Sequence, residues 1–178
     1  MNNTKKIAFC SMIAALGSAL MFLSGVVSIA TYALPAIVGA LFILIVIEFS
    51  RSSAFIAYVV VSILSLFIAQ DKKAVALFIL FFGYYPILKE LIESLKNKVI
   101  QYVLKFTIFN VAMLLSFFVF IKLLLVPIES FYTLGLSLPI LFLVFGNLVF
   151  WLYDFALSGF ITAYIARFQK IVKKIMHL

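Results

Sequence analysis

Histidine and cysteine each occur once, as His177 and Cys10, and only six side chains are acidic. A single cysteine excludes an internal disulfide and a thiolate metal site. A single histidine, placed in the tail, excludes His-ligated metals and a histidine general base. The sequence contains no Walker motif, no HExxH, no Gly-rich phosphate loop and no pair of carboxylates on one apolar segment. ATP hydrolysis is therefore not expected, and neither are catalytic residues, a metal or a cofactor. Long polar stretches are lacking too. The residues are 67% hydrophobic and 11% charged, with mean hydropathy +1.30. That much apolar surface cannot be enclosed by a water-soluble domain of 20.0 kDa.

What fills the chain is six apolar stretches, Ile7–Val27, Tyr32–Phe49, Ser52–Ala69, Ala74–Leu88, Val99–Leu125 and Ser137–Ala166. At 1.5 Å per residue, roughly 20 residues cross a hydrocarbon core of ~30 Å. The fourth stretch is short and contains Pro86, while the sixth is long enough to tilt. Continuous apolar runs, rather than alternating ten-residue segments, argue against a β-barrel. The pattern predicts an all-α integral membrane protein, a bundle of six transmembrane helices forming one domain over residues 1–178. The basic start, Met1 to Lys6, superficially resembles a signal peptide. No small-x-small cleavage site closes it, so it reads as a retained first helix.

The net charge is +8. Lys5, Lys6, Arg51, Lys89, Lys96, Lys98, Arg167, Lys170, Lys173 and Lys174 fall on one side of this topology, against Lys72 and Lys73 on the other, with Lys122 near its edge. Such basic clusters beside apolar segments are topogenic and attract anionic lipid, so nucleic acid is not an expected partner. They predict a multi-pass protein of the cell membrane with both termini cytoplasmic. The connection Lys89–Lys98 carries Glu90 and Glu93 ahead of Lys96 and Lys98, the spacing of an interfacial helical extension. Glu48 and Arg51, three residues apart, are placed for a local salt bridge at the inner end of the second span. The outer connection, with Pro127, Glu129, Tyr132 and Gly135, is a candidate lid.

Few polar groups enter the spans. Asn147, Trp151, Asp154 and Ser158 recur at helical spacing along the sixth. A carboxylate within a span costs about 2.5–3.5 kcal/mol and normally faces the bundle interior with a partner. The stripe is either a cavity wall or interhelical glue, with Asp154 paired to Lys105 or another inner-side base. The Gly83-Tyr84-Tyr85-Pro86 sequence predicts a kink that can line a cavity. Asn110 on the fifth span is either a cavity group or bundle glue. On the first span Ala8, Ser11, Ala15 and Ala19 form one small-residue stripe, and Ala14 and Ser18 form a second beside it. Both suit close helix docking.

These features together resemble the S component, the substrate-binding membrane subunit, of energy-coupling factor (ECF) transporters. The resemblance rests on length, six spans with inside ends, and the Ala15/Ala19 repeat within IAALGSALMF. The segment Tyr32 to Leu41, YALPAIVGAL, is similar to the PxLLaGLLfGP opening of that family's second helix. It departs at Leu34, where an Asp often stands, and at Phe42-Ile43-Leu44, where Gly-Pro often follows. The resemblance implies a protein that captures a vitamin or related micronutrient from outside, neutral or weakly charged, for import. It implies docking through Ala15 and Ala19 to a transmembrane scaffold subunit and, through it, to two ATPases. By position it places the ligand in the outer half beside Tyr84, Asn110, Asn147 and Trp151. The competing readings are a non-transporting scaffold of a cell-envelope assembly, which needs no cavity, and a lipid-modifying enzyme. The enzyme would need convergent acidic groups at the inner face.

Overall fold

A computed structural model describes residues 3–26, 28–122, 132–133, 136–170 and 172. The described chain is helical apart from one antiparallel pairing of Tyr132–Thr133 with Leu136–Ser137. Helix α1 spans Asn3–Leu23, α2 Ala33–Glu48, α3 Arg51–Ile68, α4 Lys72–Leu77, α5 Tyr85–Glu93, α6 Lys98–Lys122 and α7 Leu138–Ala163. A hydrocarbon medium leaves no water to bond a free amide or carbonyl, so continuous helices are what these runs can form. Five segments are long and apolar enough to cross a bilayer: Asn3–Leu23, Arg51–Ile68, Lys72–Glu93, Lys98–Lys122 and Leu143–Phe168. This fits a multi-pass membrane protein. Helix α2 is equally apolar but has 16 residues, about 24 Å at the helical rise.

Local chemistry sets the boundaries. Ser50 caps α3 by accepting the Ser53 amide at 3.3 Å. Asp71 caps α4 by accepting the amides of Lys73 and Ala74 at 3.0 and 3.2 Å. The predicted kink in the fourth span is a longer irregularity. A π-helical turn, Phe78–Phe82, follows α4, and α5 restarts with Pro86 in its first turn, where a missing N–H costs nothing. The hydroxyl of Tyr58, from α3, donates to the Ile79 carbonyl in that turn at 2.8 Å. A second π turn, Tyr164–Phe168, extends α7.

The buried side chains form two clusters. One joins α1 to α4 through small, aliphatic and aromatic groups, among them Ala14, Met21, Val38, Phe42, Val61 and Phe78. Its helices cross closely: a Cβ on Gly17 would meet Val38 at 3.0 Å, and one on Gly39 would stand 2.0 Å from the Phe82 carbonyl oxygen. The other joins α5, α6 and α7 through Phe81, Tyr85, Phe109 and Phe150. There Phe109 and Phe150 stack at 4.7 Å and Phe81 stacks on Tyr85 at 4.8 Å. Large apolar side chains such as Phe67, Phe155 and Val99 cover the outside.

Cross-helix contacts also define two ends. Arg51 pairs with Glu90, Tyr164 donates to Glu48, and Lys105 pairs with Glu93. The ends of α2, α5 and α7 therefore meet the starts of α3 and α6, at what is called here the charged end. Opposite it, Thr31 donates to Asp71 at 2.6 Å. The local Glu48–Arg51 bridge expected from spacing does not form. Each group finds a partner on another helix instead, because Ser50 breaks the chain between them and α3 starts afresh. Pro127, Glu129 and Gly135 of the expected lid lie outside the described residues, as do Lys173, Lys174 and His177.

Candidate functional site: an ion cluster and an amide pair

Tyr85, Lys89 and Glu93 recur at intervals of four along α5, so they share one face of the helix. That face turns towards α6 and α7. Lys105 meets it from α6 and Asp154 from α7. Oδ1 of Asp154 accepts from the Tyr85 hydroxyl at 2.7 Å and from Lys89 Nζ at 2.5 Å, while Oδ2 accepts from Lys105 Nζ at 2.9 Å. Glu93 Oε1 takes the same two ammonium groups, at 2.7 Å from Lys89 and 2.6 Å from Lys105. Two carboxylates and two ammonium groups thus alternate around a closed circuit of zero net charge. Lys89 is fully buried and Lys105 nearly so, at 0% and 6% side-chain exposure. Ser158 adds a bond to the Asp154 carbonyl at 3.1 Å.

The circuit fixes three helices to one another. Its intact pairs contribute little net stability, since their attraction roughly offsets desolvation, but removing one member leaves a buried charge uncompensated. Among the described residues no three of His, Cys, Asp and Glu gather as metal ligands.

Beside the circuit lies a cleft of ≈350 Å³ between α6 and α7, lined by Glu93, Lys98, Lys105, Trp151, Asp154 and neighbouring residues. Trp151 forms part of its lip, is 51% exposed, and stacks against Phe155 at 6.4 Å.

Further along the same helices, Asn110 and Asn147 face each other. Each Nδ2 donates to the other's Oδ1 at 3.0 Å, and each also donates to the carbonyl one turn back on its own helix, Phe106 at 2.8 Å and Leu143 at 2.7 Å. Every amide N–H of the pair is thereby used.

The residues expected together from the sequence are therefore distributed over three places. Asn110 and Asn147 form the closed amide pair. Trp151 stands at the lip of the cleft near the charged end. Tyr84 lies half-buried on the α3 side, edge-on to Tyr58 at 6.3 Å. Its neighbour Tyr85 is the tyrosine that enters the core of α5–α7. Asp154 has both kinds of partner the sequence allows, Lys105 and another inner-side base. That base is Lys89, which its position by itself marks only as a topogenic charge. The signal that identifies it is the Tyr85-xxx-Lys89-xxx-Glu93 stripe, which continues the buried face of α5 through a lysine.

Helix α1 separates its two small-residue faces. Ala14, Gly17 and Ser18 are buried against α2 and α3, with Ser18 donating to the Ala14 carbonyl at 2.9 Å. Ala8, Ser11, Ala15 and Ala19 are exposed. An apolar groove of ≈250 Å³ runs beside them between α1 and α3, past Cys10, Ser11, Ala14, Ile56 and Val60.

No protein-family model, curated protein or solved structure matches the chain.

Proposed function

We propose that this chain is the substrate-binding membrane subunit of a micronutrient importer of the ECF kind. In this reading it has six spans, α2 and the combined α4–α5 segment included, with both termini cytoplasmic and the charged end inside. It captures a small neutral or weakly charged molecule from outside and docks to a scaffold subunit energised by two ATPases. It has no catalytic role of its own.

The observation that carries the reading is the division of α1. One small-residue face is consumed by packing within the chain, and the other is left bare beside a groove. A single-helix contact of that kind needs small side chains to let backbones approach. A subunit with no energy source of its own needs such a contact for uphill uptake.

The ligand is assigned to the outer half of α4–α7. Asn110 and Asn147 are its orienting amides, closed on each other when the site is empty and parting to bond a ligand. Tyr84, on the α3 side, and Trp151, at the cleft near the charged end, stand apart from this site. Replacement of Ala15 or Ala19 by Trp is expected to leave ligand binding intact and abolish uptake. Replacement of Asn147 by Ala is expected to remove the ligand that native mass spectrometry finds on the purified protein. Uptake unchanged in both docking variants removes the docking assignment.

The completeness of the amide pair favours a second reading, a non-transporting scaffold of a cell-envelope assembly. A scaffold needs α1's bare face and no ligand. It predicts that no small molecule accompanies the purified protein and that Asn147→Ala alters stability alone.

A further inference from the structure

The cleft between α6 and α7 is not explained by ligand capture from the other side. Its floor is the ion circuit and its mouth is Lys98, the first residue of α6. Lys105 lies seven residues further along, about 10 Å deeper at the helical rise. The charges do not balance. Within the circuit Glu93 and Asp154 are matched by Lys89 and Lys105, whereas Lys98 lines the same cleft with no ion pair among the described residues. With the buried Lys89 beneath the floor counted, the cleft therefore has one surplus positive charge, Lys98 at its entrance, with the hydroxyls of Tyr102 and Ser158 along its walls.

Its rim is of the opposite character. Tyr102 and Trp151 are both 51% exposed and Phe155 is 71% exposed. A polar recess with a cation at its mouth, opening sideways through aromatic side chains at the end of a bundle, matches an amphiphile whose head is anionic and whose tails run beside the helices. Basic pockets between transmembrane helices hold phosphate head groups in this way, and Trp and Tyr favour the membrane–water interface at the head-group level.

We infer that this cleft binds the phosphate diester of an anionic phospholipid from the leaflet at the charged end. Lys98 contacts the phosphate, and Trp151 and Phe155 line the path of the acyl chains. The site is independent of the importer reading, since it lies at the opposite end of α6 and α7 from the face assigned to the nutrient.

The experiment uses the purified full chain, delipidated in detergent and titrated by native mass spectrometry with phosphatidylglycerol and with phosphatidylcholine of the same acyl chains. Phosphatidylglycerol is expected to bind at least several-fold more tightly. Lys98→Ala should weaken that binding about fivefold, and Lys73→Ala, at the other end of the molecule, should leave it unchanged. Lys98 is exposed and outside the circuit, so its replacement does not threaten folding. Equal affinity for the two lipids, or equal effects of the two lysine variants, overturns the site. Glycerol 3-phosphate supplies the same phosphate chemistry without tails. Failure to displace the lipid at equal concentration supports a membrane source, and full displacement overturns the lipid as occupant.

Discussion

The two halves of this bundle are held together by different physics. In α1–α4 the helices approach through glycine, alanine and serine, and the core mixes small and aliphatic groups with the Phe42–Phe78 pair. Apart from the Tyr58–Ile79 and Thr31–Asp71 hydrogen bonds, shape complementarity is the main force there, because lipid tails are as apolar as the side chains they replace. In α5–α7 the core is a stack of aromatic rings with a charge circuit below and an amide pair further along. These helices are joined by groups that hydrocarbon cannot satisfy. The difference explains why the first half can leave a small-residue face exposed on its outside, whereas the second turns its polar groups inward. A small-residue surface is indifferent to lipid until another helix arrives, but an exposed Asp154 would be costly at once.

The largest effect is expected at Asp154. Asp154→Ala leaves Lys89 and Lys105 sharing one carboxylate, and the loss of a buried partner is worth about 3–5 kcal/mol. Thermal unfolding in detergent should show a large drop. The double change Lys89→Met with Asp154→Leu, which removes a charge of each sign, should recover much of it. If the double variant is as unstable as the single one, the circuit is not the tie between these helices.

The counterpart in the first half is Gly39→Ala. The added methyl would overlap the Phe82 carbonyl, and overpacking of this kind costs about 1–3 kcal/mol. A stability equal to that of the parent protein would mean that α2 and the π turn do not approach as described.

Smaller effects come from the amide pair. Asn110→Leu should cost about 1 kcal/mol, because Asn147 loses both its acceptor and a donor. Adding Asn147→Leu should make matters no worse, since two apolar groups leave nothing unsatisfied. Additive losses in the double variant would show that the two amides do not depend on each other.

The smallest effect separates the faces of α1. Ala19→Trp should shift stability by less than about 0.5 kcal/mol, while Ala14→Trp, on the buried face, should destabilise clearly. Equal melting curves would erase the distinction between the two stripes.

Most of the architecture was legible because hydrophobic runs of bilayer length have few alternatives. The predicted spans agree with the helices to within a few residues, except at the fourth. There Pro86 announced a break, but its form is a π turn followed by a helix restart, with Tyr58 reaching across from α3 to the Ile79 carbonyl. No local pattern carries that contact. The stripe on the sixth span was visible as a periodicity, and the Asp154–Lys105 contact follows from the cost of an unpaired carboxylate. Lys89 was obscured because a lysine near a helix end reads equally as topogenic charge or buried partner. Only the position of α7 decides between them. Tyr84 and Tyr85 are adjacent and chemically alike, and position along the span favours Tyr84 for the site, yet the structure brings Tyr85 to the circuit. Glu48 and Arg51 show the limit of spacing arguments, since three residues apart means proximity only when no helix boundary intervenes.

In the proposed importer, α1 presents its bare face to another protein while the ligand is held elsewhere. Purification of the parent chain and of Ala19→Trp from native membranes, with bound small molecules and associated ATPase activity measured on each, tests this directly. The parent should carry both, and the variant should keep the small molecule and lose the ATPase. A parent with neither, or a variant that retains both, would contradict it.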